Sequence, residues 1–111
     1  MGFYLHRVEE YFQKMELEGF NTKSPLKWSF YFVHTNSGEL QDVYAELKDH
    51  SYHLDYLNET EDGLWQLKVS KIEVLTPDKL HRRNLAFNEL ANYCSVDTYD
   101  GWEVDKQDAL N

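Results

Sequence analysis

The sequence is short of the residues that cross-link or punctuate a chain: one cysteine, two prolines and five glycines among 111 positions. A lone Cys94 cannot close an internal disulfide, which excludes the disulfide-stapled secreted scaffolds and agrees with a reducing compartment. No apolar run approaches the roughly 18 residues that a membrane-spanning helix requires. Met1–His6 lacks a basic stretch leading into an apolar segment and a small-residue cleavage site, so a cytoplasmic location is expected. Bases are scarce too: eleven Lys and Arg stand against twenty Asp and Glu, for a formal net charge of −9. That balance repels phosphate backbones, whose binding depends on Lys and Arg displacing counterions, and it attracts basic partners instead. Repeats and low-complexity tracts are absent as well.

What is present is globular. With 41% hydrophobic and 15% aromatic residues, the chain is expected to form a single domain over residues 1–111, with one core that buries roughly two-thirds of the unfolded surface. Tyr4, Val8, Tyr11, Phe12 and Met15 share one helical face, and Gly19-Phe20 supplies a left-handed cap with its apolar clasp. After the Thr22-Lys23-Ser24-Pro25 turn, Trp28, Phe30 and Phe32 alternate with Ser29 and Tyr31 over Trp28–Val33, giving a strand with one bulky face. Asn36 with Glu39 reads as a helix start, and Leu40, Val43, Tyr44 and Leu47 carry that helix to Asp49 or His50. Tyr52–Leu57 and Leu64–Val74 read as a hairpin around the acidic turn Asn58–Gly63; Tyr52, Leu54 and Tyr56 fall on one face, and Trp65, Leu67 and Val69 on another. Thr76-Pro77-Asp78 opens a third helix with a hydroxyl cap, a proline at the first position and a carboxylate at the positive end. Leu80, Phe87, Leu90, Ala91 and Cys94 form its buried stripe. A last strand spans Thr98–Asp105, and Lys106–Asn111 reads as a frayed tail.

Beyond the first helix the order is β-α-β-β-α-β, so the predicted class is α+β: a ferredoxin-like, antiparallel four-stranded sheet with an extra N-terminal helix. Two helices cover one sheet face. If the first helix covers the other, the free surface shrinks to loops and edges; if it does not, Tyr31, His53, Gln66, Lys68 and Glu103 form a polar platform.

Tyr99-Asp100-Gly101-Trp102-Glu103 is the most specific segment. An Asp-Gly pair usually turns the chain, but here Tyr and Trp flank it inside a strand, so Gly101 reads as a bulge or a point of close backbone approach. The Tyr-Asp-Gly-Trp signature resembles the closing strand of the family named for the regulator of ribonuclease E activity B (RraB-like), and the order of upstream elements fits it over nearly the whole chain. The resemblance implies a small cytoplasmic regulator that binds ribonuclease E outside its catalytic half and lowers or redirects RNA turnover.

Carboxylates come in blocks. Asp55, Glu59, Glu61 and Asp62 stand together without a base in sequence, and Asp97, Asp100, Glu103, Asp105 and Asp108 are relieved only by Lys106. Asp97, Glu103 and Asp105 are the candidate partner-binding residues, for a basic protein segment. Solubility alone would also account for such a surface. Lys79, Arg82 and Arg83 share one helix face and would serve an RNA-binding module that used the sheet face, but the third strand, Gln66-Leu67-Lys68-Val69-Ser70, lacks the Lys/Arg-Gly-Phe pattern. His50, His53 and Asp55 have ligand chemistry, although a histidine at a helix C-terminus is explained by the dipole, so no metal is expected. Cys94 lies on a buried stripe without a catalytic partner, and neither a phosphate loop nor a catalytic carboxylate pair is evident. No catalytic residue and no cofactor are expected. The sequence therefore reads as a non-enzymatic protein-binding regulator, with an RNA-binding module, or an acidic protein that neutralises a basic toxin or nuclease, as the alternatives.

Overall fold

The Schellman-capped helix α1 (Leu5–Leu17) opens the chain: Phe20 N–H donates to the Met15 carbonyl and Gly19 N–H to that of Glu16, with Gly19 at φ 92. The computed structural model describes residues 4–105; the tail Lys106–Asn111, Asp108 included, lies outside the described residues. Next come β1 (Leu26–His34), α2 (Ser37–Leu47) with a 3-10 turn at Lys48–His50, β2 (His53–Glu59), β3 (Trp65–Glu73), α3 (Pro77–Tyr93) and β4 (Thr98–Asp105). The four strands form one sheet in the order β2-β3-β1-β4, every pair antiparallel. This is the ferredoxin-like arrangement predicted from the element order.

Most start and stop signals act as their chemistry requires. Thr76 Oγ1 accepts from Lys79 N–H at 3.2 Å with Pro77 beside it, which satisfies a donor the helix cannot. At α2 the expectation was only half met: Asn36 occupies the N-cap position in an extended conformation, but its side chain makes no capping bond. The chain leaves the 3-10 turn through Ser51 in a left-handed conformation, φ 70.

The core lies between the sheet and the helices. Trp28, Phe30 and Phe32 are fully buried, and their register partners Val69, Leu67, Val104 and Tyr99 lie on the same sheet face. Phe87 of α3 meets Phe30 edge-on at 5.0 Å and packs with Phe32, Tyr52 and Tyr99, which joins helix and sheet through one aromatic cluster. α1 joins the same layer: Phe12 stacks on Trp28 at 5.6 Å, and Tyr11 meets Trp102 edge-on at 5.4 Å. All three helices therefore share one sheet face, and no described element lies over the other.

Both edge strands carry a bulge. In β4 the register jumps from Tyr31↔Gly101 to Phe32↔Tyr99, leaving Asp100 as the extra residue, and Gly101 sits at φ 103. In β2 Leu54 pairs with Val69 but Tyr56 with Lys68, so Asp55 is extra. This corrects the strict alternation expected of Tyr52, Leu54 and Tyr56: the inserted residue sends Tyr56 to the open face and returns Leu57 to the core face. The α3 stripe also needs amending. Leu90 and Cys94 are only half-buried, whereas Asn84, fully buried, accepts the Tyr99 hydroxyl at 2.6 Å.

The glycines allow a discriminating test. A Cβ on Gly101 would meet nothing within 4 Å, so any cost comes from the positive φ alone. Gly101→Ala is expected to cost about 1 kcal/mol or more. Gly38→Ala in the first turn of α2, equally uncrowded and at an ordinary φ, should be neutral or stabilise by a few tenths of that. Equal denaturation midpoints for the two variants would show that the bulge conformation is unstrained.

Candidate functional site

The open sheet face is largely polar, and several of its groups pair across strands. Tyr31 donates its hydroxyl to Glu103 at 2.8 Å, Tyr56 to Gln66 at 2.7 Å, and Ser70 to Asp55 at 2.7 Å. Asp55 is the hub: Lys27 lies 3.3 Å and Lys68 3.8 Å from its carboxylate, with His53 at 3.7 Å. A carboxylate that stands without a base in sequence is thus flanked by lysines from two other strands and by an imidazole of its own. Tyr31, His53, Gln66, Lys68 and Glu103 do form the polar platform foreseen for an uncovered face. With most of its side chains in cross-strand hydrogen bonds or ion pairs, the platform resembles a solvated surface more than an apolar docking face.

The candidate acidic residues separate. Glu103 and Asp105 lie on the open face, the first bonded to Tyr31 and the second opposite Lys27. Asp97 lies at the far end of the sheet, in the α3–β4 loop. Its N–H donates to His34 Nδ1 at 3.1 Å and its carboxylate lies 3.3 Å from the same nitrogen, while the ring's Nε2 lies 3.6 Å from Glu39. A buried imidazole therefore ties the loop before β4 to the start of α2.

Of the motif, Tyr99 is buried, Trp102 is half-buried against Tyr11, and Asp100 is exposed beside buried Gly101. Residues three apart in a regular strand face opposite ways. The extra residue puts Tyr99 and Trp102 on the same face, one holding α3 and the other α1.

The largest asymmetry escaped a linear reading. Register places the C-terminal ends of β1 and β2 beside the N-terminal ends of β3 and β4, since His34 and Glu59 both pair with Trp65 and Val33 with Thr98. This end of the sheet gathers Glu39, Glu59, Glu61, Asp62, Asp97 and Asp100 from three separate segments, all but half-buried Glu39 exposed. Stretches 28–47, 49–67 and 84–105 contain no Lys or Arg. The bases sit toward the opposite end, where much of their charge is spent. Arg83 forms a bidentate pair with Glu73 at 2.6 and 3.0 Å, and Arg82 pairs with Asp78 at 2.6 Å. Two of the three cations of the candidate RNA-binding helix face are thereby engaged.

Among the described residues no group of three or more His, Cys, Asp or Glu is placed to hold a metal, and no helix is long and apolar enough to cross a membrane. Cys94 lies beside Asp42 and Glu46, and burial first, then those charges, push its thiol pKa up, away from the thiolate that chemistry would need.

Fold and surface together define a small α+β protein with a marked charge asymmetry. A family model described as Regulator of ribonuclease activity B matches residues 6–104, and the chain belongs to that family. No curated protein sequence matches it.

The tyrosines set the response to alkali. Burial raises the pKa of Tyr99, of Tyr52 to about 12, and of Tyr31, where the bond to Glu103 adds to it. The folded state thus favours the neutral phenols. Their contribution to stability is complete below the ordinary value of 10.0 and is lost as pH rises through the folded values. Thermal stability should therefore fall from about pH 10 upward, in step with tyrosinate absorbance; stability unchanged while those phenols ionise would contradict their burial.

Proposed function

We propose that this chain is a non-enzymatic regulator that acts by protein–protein contact, presenting a carboxylate-only end to a basic segment of an RNA-degrading enzyme of the ribonuclease E type. The observation that carries the proposal is the convergence of Glu39, Glu59, Glu61, Asp62, Asp97 and Asp100 at one end of the sheet, with no Lys or Arg in the segments that form it. Membership of a family described as a ribonuclease regulator supports it. A surface of one sign steers an oppositely charged segment and accelerates encounter, and it competes with RNA for the same basic residues. Of the residues singled out from sequence, Asp97 belongs to this end, while Glu103 and Asp105 extend the negative field along β4. Direct RNA binding is disfavoured by the net charge of −9 and by the engagement of Arg82 and Arg83 with carboxylates.

The test combines capture with kinetics. Immobilised protein should retain a ribonuclease, identified by mass spectrometry, from nuclease-treated cytoplasm, and addition of the protein should slow that enzyme's RNA cleavage. Association should weaken steeply with salt, and neutralising Glu61, Asp62 and Asp97 to their amides should lower the association rate more than it raises the dissociation rate. Retention abolished by nuclease, with single-stranded RNA bound at physiological salt, would replace this reading with an RNA-binding one.

A further inference from the structure

β2 is an edge strand. Among the described residues it pairs only with β3, so the outward N–H and C=O groups of His53–Glu59 form an open ladder. Between it and the outer flank of α2 runs a groove of about 250 Å³, with Tyr44, Ala45 and Lys48 on the helix side and Leu54, Leu57 and Leu67 on the strand side. Leu54 is 37% exposed there, a large apolar side chain turned toward solvent on the helical face of an edge. The bulge determines which part of the edge can be used. Asp55 is drawn onto the open sheet face by Lys27, Lys68 and Ser70, which clears its carboxylate from the ladder and leaves Tyr56–Glu59 regularly paired with Lys68–Trp65. Glu59 at the end of that run, with Glu61 and Asp62 in the turn beyond it, is exposed, and no Lys or Arg occurs from 49 to 67.

We propose that an extended basic segment of the partner protein adds to the sheet as a fifth strand along Tyr56–Glu59, with apolar side chains in the α2–β2 groove and Lys or Arg side chains against the acidic hairpin. The proposal rests on the protein-binding reading above and assigns it a docking mode. Strand addition draws affinity from main-chain hydrogen bonds and specificity from alternate side chains. An occupant whose residues alternate apolar and polar would set one row beside Leu54, Leu57 and Ala45, and the other beside Tyr56 and Asn58 on the open face. The fit is to a basic peptide because the ladder runs into carboxylates that have no neighbouring cation in sequence, and an acidic segment would be repelled there.

The probe is a synthetic peptide of alternating Val and Thr that ends in an Arg run, compared with the same peptide carrying proline at alternate positions. Proline preserves the charge and removes the strand-forming N–H donors. With the full chain, the first peptide should slow hydrogen exchange of the outward amides within Tyr56–Glu59 and shift their NMR resonances, and the proline peptide should not. Leu54→Glu, at a partly exposed position, should weaken binding by about tenfold or more while the melting temperature stays near that of the parent. Equal binding of the two peptides, or binding that leaves β2 amides unchanged, would overturn strand addition while the acidic-end reading stood. Failure of both peptides to bind would also overturn it, leaving that reading to the ribonuclease capture and cleavage assays. Self-association that disappears in Leu54→Glu would give the edge to a second copy and overturn the proposal as well.

Discussion

One inserted residue in β4 holds the architecture together. A regular strand would send Tyr99 and Trp102 to opposite faces; with Asp100 extra and Gly101 at φ 103, both reach the helical side. Tyr99 then completes the aromatic cluster around Phe87 and bonds to Asn84 inside α3, while Trp102 receives Tyr11 of α1. The α1 contact follows from this geometry. Had Trp102 pointed the other way, the first helix would have lost its edge-on partner and the open face would have gained a large indole.

Placing three helices on one side leaves the other to polar chemistry. A sheet face exposed to water must satisfy or solvate its groups, and this one pairs many of them: Tyr31 with Glu103, Tyr56 with Gln66, and Asp55 with two lysines, a serine and a histidine. Such exposed and half-exposed pairs contribute modestly to stability one by one. The two lysines offset Asp55, while Glu103 and Asp105 leave negative charge along β4. The loop end adds carboxylates from segments that hold no Lys or Arg, and there a basic partner is the favoured visitor.

The two bulges have different consequences. In β4 the bulge turns aromatics inward; in β2 it turns a carboxylate onto the open face and puts Leu54 and Leu57 together on the helical face, beside the α2 groove. A bulged, charged edge also discourages indiscriminate strand pairing, so any pairing at β2 is confined to the short run beyond Asp55.

Local rules set much of this in advance. Periodicity and capping chemistry located the helices, the aromatic alternation of β1 identified the core face, and a glycine between Asp100 and Trp102 announced a bulge, because those signals act over a few neighbouring residues. The element order then specified the sheet. Distance along the chain hid the rest. Nothing local marks the bulge at Asp55, so strict alternation puts Tyr56 on the wrong face; a bulge without glycine is decided by what the strand packs against. Asn84 was invisible as a core residue because its partner, Tyr99, lies in another element. In sequence Asp55 stands without a base and Arg83 reads only as part of a basic helix face, since their counter-ions come from other elements. The acidic end, too, exists only once register brings three separate segments to one side of the sheet. Sequence determined the charge, the elements and the family signature; tertiary pairing decided where that charge is neutralised and where it remains, because Coulomb interactions depend on distance in space and not along the chain.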